Sequence, residues 1–165
     1  MNSIYIRHAG RFLVLLLLQT LILNNINLGQ ISIFIYPLAL LLLPLEVPHG
    51  ILVAVGFFYG LAMDIFSNSL GLHAAILTFL AFARHGVCWL IEPRGGYEPA
   101  QTLSRASQGT AWFFKYSAIM MGGHIFFLTL LENLSIGWVW LLQMVLSYLF
   151  SMLLLIIYQY IFNPK

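Results

Sequence analysis

Residues 56–75 read GFFYGLAMDIFSNSLGLHAA, and in this stretch a single aspartate, Asp64, sits inside an otherwise uncharged apolar run. Gly56, Gly60 and Asp64 are spaced i, i+4, i+8, so on a helix they form one stripe. Glycines at that spacing let a second helix approach closely inside a membrane. A carboxylate at the centre of a bilayer costs roughly 2.5–3.5 kcal/mol on insertion scales, and less near the interface. Asp64 therefore needs water, a partner or a functional reason, and its stripe is predicted to face protein rather than lipid.

Outside that stretch the composition is equally apolar. Hydrophobic residues make up 61% of the 165-residue chain and charged residues 7%, with a mean hydropathy of +0.93. A soluble domain carries about 25% charged residues, so this chain could not cover a water-exposed surface. It reads as an all-α integral membrane protein with one polytopic domain over residues 1–165. The net charge of +2 is too small to suggest nucleic acid. The single cysteine, Cys88, lies in an apolar run and makes neither a disulfide framework nor a metal cluster.

Six hydrophobic segments can be drawn, over residues 12–28, 31–45, 49–66, 70–91, 111–131 and 136–162, close to the roughly 20 residues that a helical span needs. The expectation is a six-helix transmembrane bundle. The second segment is short and holds Pro37, which predicts a kink or an extension back toward Asn27. The sixth exceeds the bilayer thickness, which predicts tilt or a protruding end. No ten-residue alternation points to a β-barrel. The one sizeable loop, 92–110, opens with the turn-prone run Glu92-Pro93-Arg94-Gly95-Gly96-Tyr97-Glu98-Pro99.

Basic residues predict the orientation. Arg7 and Arg11 precede the first span, Arg94 and Arg105 lie between the fourth and fifth, and Lys165 ends the chain, with Arg84 and Lys115 close to the same side. The connectors 24–30, 67–69 and 132–135 contain no Lys or Arg, so the positive-inside rule places both termini in the cytoplasm. Arg7 and Arg11 before Phe12-Leu13-Val14 also imitate the start of a signal peptide, but Asn24, Asn25 and Asn27 stand where small cleavage-site residues belong. An uncleaved signal-anchor is expected.

No catalytic frame is legible. Ser67 and Ser69 flank Asn68 without a nucleophile setting, Asp64 is the only aspartate, and histidines at 8, 49, 73, 85 and 124 show no ligand spacing. A non-enzyme without cofactor or metal is expected. For the polar residues in the spans two readings stand side by side. Asp64 either reaches headgroup water or is bonded at a helix contact. Arg84, roughly 10 Å from the end of its span at 1.5 Å per residue, either snorkels or is paired in the interior. An Asp64–Arg84 ion pair is not expected, since antiparallel helices place them near opposite faces. His85 shares a face with Gly71, Ala74, Thr78 and Ala81, a small-residue seam that forms a groove for an internal helix or for a partner. His124, after Gly122-Gly123, is expected to make a helix-to-helix hydrogen bond.

The run 57–75, with Gly60-Leu61, Asp64, Gly71 and Ala74-Ala75, resembles the signature of the rod shape-determining protein MreD family, in which a Gly-Leu-x-x-Asp segment ends one span and a Gly with small residues opens the next. Tyr36-Pro37 matches the family's proline in the second span. The loop from Arg94 through Tyr97, Glu98 and Pro99, with Trp112-Phe113-Phe114-Lys115-Tyr116, looks like the Bacteroidetes-type version. The specific part covers about 20 residues; the first and last spans match only in length and hydrophobicity.

The resemblance implies a non-enzymatic component of the bacterial inner membrane that serves cell elongation and lateral peptidoglycan synthesis. Its implied partners are a single-span MreC-like protein, the MreB filament, the RodA glycosyltransferase and its penicillin-binding transpeptidase, with membrane lipid around it. The family is also similar in fold to substrate-binding subunits of energy-coupling-factor transporters, which makes a vitamin-type binder the alternative. Those subunits dock through an Ala-x-x-x-Ala surface on the first helix, and residues 13–18, LVLLLL, lack it.

Overall fold

The computed structural model describes residues 2–26, 31–97, 102–132 and 137–162. Among the described residues, five helices are long and apolar enough to cross a membrane: Ile6–Asn25, His49–Ser67, Leu72–Leu90, Thr110–Glu132 and Trp138–Phe162. The protein is thus an all-α, multi-pass membrane protein. The first of these is composite. Helix α1 (Asn2–Leu17) widens into a π turn at Leu18–Ile22 and tightens into a 3-10 turn at Leu23–Asn25.

The second apolar segment departs from the six-helix expectation. Residues 31–35 carry no helix, Tyr36 and Pro37 make a turn, and only Leu38–Leu41 forms helix α2, a single turn. Pro37 can open a helix but not sit inside one, and Pro44 prevents its continuation. All ten residues from Phe34 to Leu43 are nevertheless buried. Extended backbone advances about 3.3 Å per residue against 1.5 Å in a helix, so a short non-helical segment covers a large depth.

Helices α3 (His49–Ser67), α4 (Leu72–Leu90), α6 (Thr110–Glu132) and α7 (Trp138–Phe162) surround this broken segment, and α5 (Arg105–Gln108) is a short turn before α6. The segment enters beside Thr20, Asn24 and Ser67. It leaves at Pro44, which pairs with Thr102 in an isolated antiparallel bridge. Arg7 and Arg11 of α1 and Tyr158 and Phe162 of α7 line one cleft with Thr102, so the described ends of the chain meet at that same basic end. Trp112 and Tyr97 bind the carbonyls at the C-terminal end of α4, with Trp112 Nε1 donating to Ile91 O at 2.9 Å and the Tyr97 hydroxyl to Cys88 O at 2.6 Å. Burial pushes the Tyr97 phenol up to about 12, so it stays a donor.

Candidate functional site: a broken crossing held by buried polar side chains

The α3–α4 hairpin is the tightest helix pair. An ideal Cβ added at Gly60 would lie 2.5 Å from Ala74 Cα and 2.5 Å from His73 O, and one at Gly56 would lie 2.7 Å from Leu77 O. Both glycines are therefore in backbone contact with α4, and the groove they meet is Ala74, Leu77 and Ala81. The stripe packs inside the chain, which removes it as a surface for a partner helix. Thr78 turns its hydroxyl back onto Ala74 O at 2.6 Å. Gly71 plays another part than the seam assigned it. A Cβ there would meet nothing within 4 Å, and its φ of +81° is the left-handed geometry that lets the chain turn into α4. Asn68, at φ +52°, ends α3 in the same conformation.

Asp64 is 3% exposed and does not reach water. Its Oδ1 accepts the His73 N–H and its Oδ2 the Ala74 N–H, each at 2.9 Å, and Ser69 Oγ donates to Oδ1 at 2.5 Å. The carboxylate thus satisfies two donors in the first turn of α4 and faces the positive end of that helix. Asp64→Leu is expected to cost about 2 kcal/mol or more, because it orphans two buried N–H groups. Asp64→Asn keeps one acceptor oxygen and should lose less. Thermal unfolding of the purified variants checks this, and unchanged melting of both would show that the cap contributes nothing.

Non-helical backbone survives at membrane depth only when protein groups satisfy it. Here side chains from four helices do so. Ser147 Oγ accepts the Ser32 N–H at 3.1 Å and Ser151 Oγ the Phe34 N–H at 2.8 Å, both from α7. Gln19, in the π turn, binds the strand-like stretch with both ends of its amide: Oε1 accepts the Ile35 N–H and Nε2 donates to Ile33 O, each at 2.9 Å. Below the turn, the Tyr116 hydroxyl donates to Leu41 O at 3.2 Å. Arg84 is fully buried rather than snorkelling. Its Nη2 donates to Leu43 O and Pro44 O and its Nε to the Tyr116 oxygen at 3.0 Å. These carbonyls follow α2, whose C-terminal end favours a cation. Asp64 and Arg84 therefore answer separate helix ends and do not pair with each other.

Tyr36, at the turn, joins two histidines. Its hydroxyl lies 2.8 Å from His73 Nδ1 and 3.1 Å from His124 Nε2. One hydroxyl can donate to one ring and accept from the other, so at least one of those ring nitrogens carries a proton. The three groups form a hydrogen-bonded chain across α4, the broken segment and α6. It ends at His124 Nδ1, which is buried and has no partner among the described residues. At its other end His73 lines a polar cavity of about 660 Å³ with Asn24, Ser67 and Glu132. The arrangement can hold a proton at either ring and offers a polar vestibule above it.

The chain matches no family model, no curated protein and no solved structure in comparisons with each.

His85 faces α3 as its seam position implies, with its Nδ1 3.1 Å from His49 Nδ1. Arg94 is exposed in the turn 93–96, closed by Gly96 N–H to Pro93 O at 2.9 Å. Glu98 lies outside the described residues. Gln19, Ser147 and Ser151 carry the centre of the site without having been singled out, and Tyr36, His73 and Tyr116 were noted in the sequence without this role. Ser147 and Ser151, four apart in an apolar helix, are the signal that could have found the clamp.

Proposed function

We propose that this chain is a non-enzymatic component of the bacterial inner membrane that serves the cell-elongation machinery, as its resemblance to the MreD family implies. The observation that carries this reading is the α3–α4 hairpin. Gly60, Asp64, Gly71 and Ala74, the residues of the resemblance, are those on which its close crossing, its turn and its cap depend. A hairpin made rigid in this way suits a scaffold, because it presents its outward faces in a fixed geometry. On α3 that face is Phe57, Phe58, Leu61 and Ile65, all exposed. It is the surface offered to a single-span partner of the MreC kind, through which MreB, RodA and the transpeptidase would be reached. Both termini are placed in the cytoplasm, with the arginine-rich end of the bundle, by the positive-inside rule.

A vitamin-type transporter subunit is the second reading. The polar cavity of about 660 Å³ favours it, since its volume falls within the range of small-molecule sites.

Affinity purification of the tagged chain from native membrane separates the two. Recovery of cell-wall elongation proteins is the expected result, whereas recovery of a transporter ATPase would replace the first reading with the second. In the same strains, a reporter active only in the cytoplasm should score positive after Lys165 and within 98–107, and negative within 24–30. A periplasmic C-terminus would overturn the orientation.

A further inference from the structure

A cleft of about 690 Å³ opens at the basic end of the bundle, between α1, α7 and the turn around α5. Arg7 and Arg11, one helical turn apart on α1, point into it, and among the described residues that line it there is no carboxylate. Tyr158, on the α7 wall of the cleft, hydrogen-bonds the Arg11 side chain, but Arg11 Nη1 is buried there with no hydrogen-bond partner among the described residues. A shielded guanidinium nitrogen without an acceptor is costly unless something supplies one. The opposite wall is preformed. Ser107 Oγ donates to Thr102 O, and the Ser107 N–H donates back to Ser104 Oγ at 3.3 Å. The Pro44–Thr102 bridge ties that turn to the broken crossing, and Arg105 is held over the Tyr160 ring at 4.1 Å. The serine hydroxyls are thus engaged within the turn, which leaves Arg7 and the unpartnered Nη1 of Arg11 as the available guanidinium donors.

We propose that this cleft binds a phosphate group, of the kind that an anionic phospholipid headgroup presents. Guanidinium N–H groups make charge-assisted hydrogen bonds to phosphate oxygens, and Arg7 with the unpartnered Nη1 of Arg11 offers such donors one turn apart. Basic pockets between membrane helices at the cytoplasmic side suit anionic headgroups. The rest of the lining fits the remainder of a lipid. Val14 and Phe162 are apolar, more than half exposed and continuous with the outer surface of the bundle, where a glycerol backbone and acyl chains would lie. The inference is independent of the assembly that the chain serves.

The test uses the full-length protein purified in detergent and titrated with phosphatidylglycerol, phosphatidylcholine or inorganic phosphate, with bound lipid counted by native mass spectrometry. Phosphatidylglycerol should be retained in preference to phosphatidylcholine. Arg11→Gln should weaken that retention about tenfold or more, the loss of one charge-assisted contact. Arg7→Gln, at an exposed position that leaves the fold alone, should weaken it in the same direction, while Arg94→Gln, a basic residue outside the cleft, should not. Displacement of the lipid by millimolar inorganic phosphate, with the same dependence on Arg7 and Arg11, would uphold the site and assign it to a soluble phosphate. Equal retention of the two lipids, or of phosphatidylglycerol by wild type, Arg7→Gln and Arg11→Gln alike, would overturn the proposal.

Discussion

Arg84→Met is expected to destabilise the protein by about 3 kcal/mol, because it strips the only described side-chain donors from the carbonyls of Leu43 and Pro44 and leaves the Leu43 carbonyl buried. Methionine fills much of the same volume, so the loss reports hydrogen bonding more than a cavity. Replacing a buried ion pair on both sides can be neutral, but here the acceptors are backbone and cannot be replaced with it. Arg84→Lys keeps a cation near the end of α2 but loses the fork that reaches the Tyr116 oxygen and the carbonyls together, so it should fall between wild type and Arg84→Met. Melting of the purified variants, followed by size-exclusion of the heated protein, should show a drop of roughly 6–12 °C for Arg84→Met. Identical melting of all three proteins would mean that the broken crossing does not depend on this residue.

Gly60→Ala should be harmful where the same change at Gly86 helps. At Gly60 even one methyl group would sit 2.5 Å from Ala74 Cα, a backbone atom that can yield only if the helices part. Overpacking of that kind costs typically 1–3 kcal/mol, and Gly60→Leu should exceed it. Ala62→Leu, a partly buried position two residues away on another face, should cost less than Gly60→Leu. A Cβ at Gly86 meets nothing within 4 Å, so Gly86→Ala should stabilise α4 by about 0.5–1 kcal/mol through helix propensity. The ordering Gly86→Ala, wild type, Gly60→Ala, Gly60→Leu in thermal stability is the expected outcome. Gly60→Ala as stable as wild type would show that the hairpin can relax at this crossing without loss.

The two predictions differ in how much of their basis could be read without the fold. The Gly56, Gly60, Asp64 stripe is visible as a spacing, because a helix converts i, i+4, i+8 into one face and an apolar run makes that face a contact. What met the stripe was open between a partner and the neighbouring helix, and the turn at Asn68 to Gly71 closes it inside the chain. Arg84 was visible only as a charge in the wrong place. Two of its acceptors are 40 or more residues away in sequence and are backbone atoms of a segment whose conformation had to be known first, and the third is the Tyr116 hydroxyl on another helix.

By itself, the amino-acid sequence determined that this protein lies in a membrane, because 7% charged residues cannot cover a water-facing surface. It also predicted that the Gly56, Gly60, Asp64 stripe faces protein and that the basic residues gather at one end, while Asp64 itself stayed open between headgroup water and a helix contact. Only the tertiary structure decided that residues 31–45 are not one continuous helix but an extended stretch, a turn and the single helical turn of α2. Hydropathy reports that a segment is buried, and it is the same for a buried helix and a buried extended chain. What separates them is whether outside groups satisfy the backbone, and those groups are Gln19, Arg84, Tyr116, Ser147 and Ser151, drawn from four other helices. The spacing of Ser147 and Ser151 marks a polar face but not what it meets, because hydrogen bonds that long in sequence leave no local trace of their partner, so the chain's central feature exists only once the bundle has formed around it.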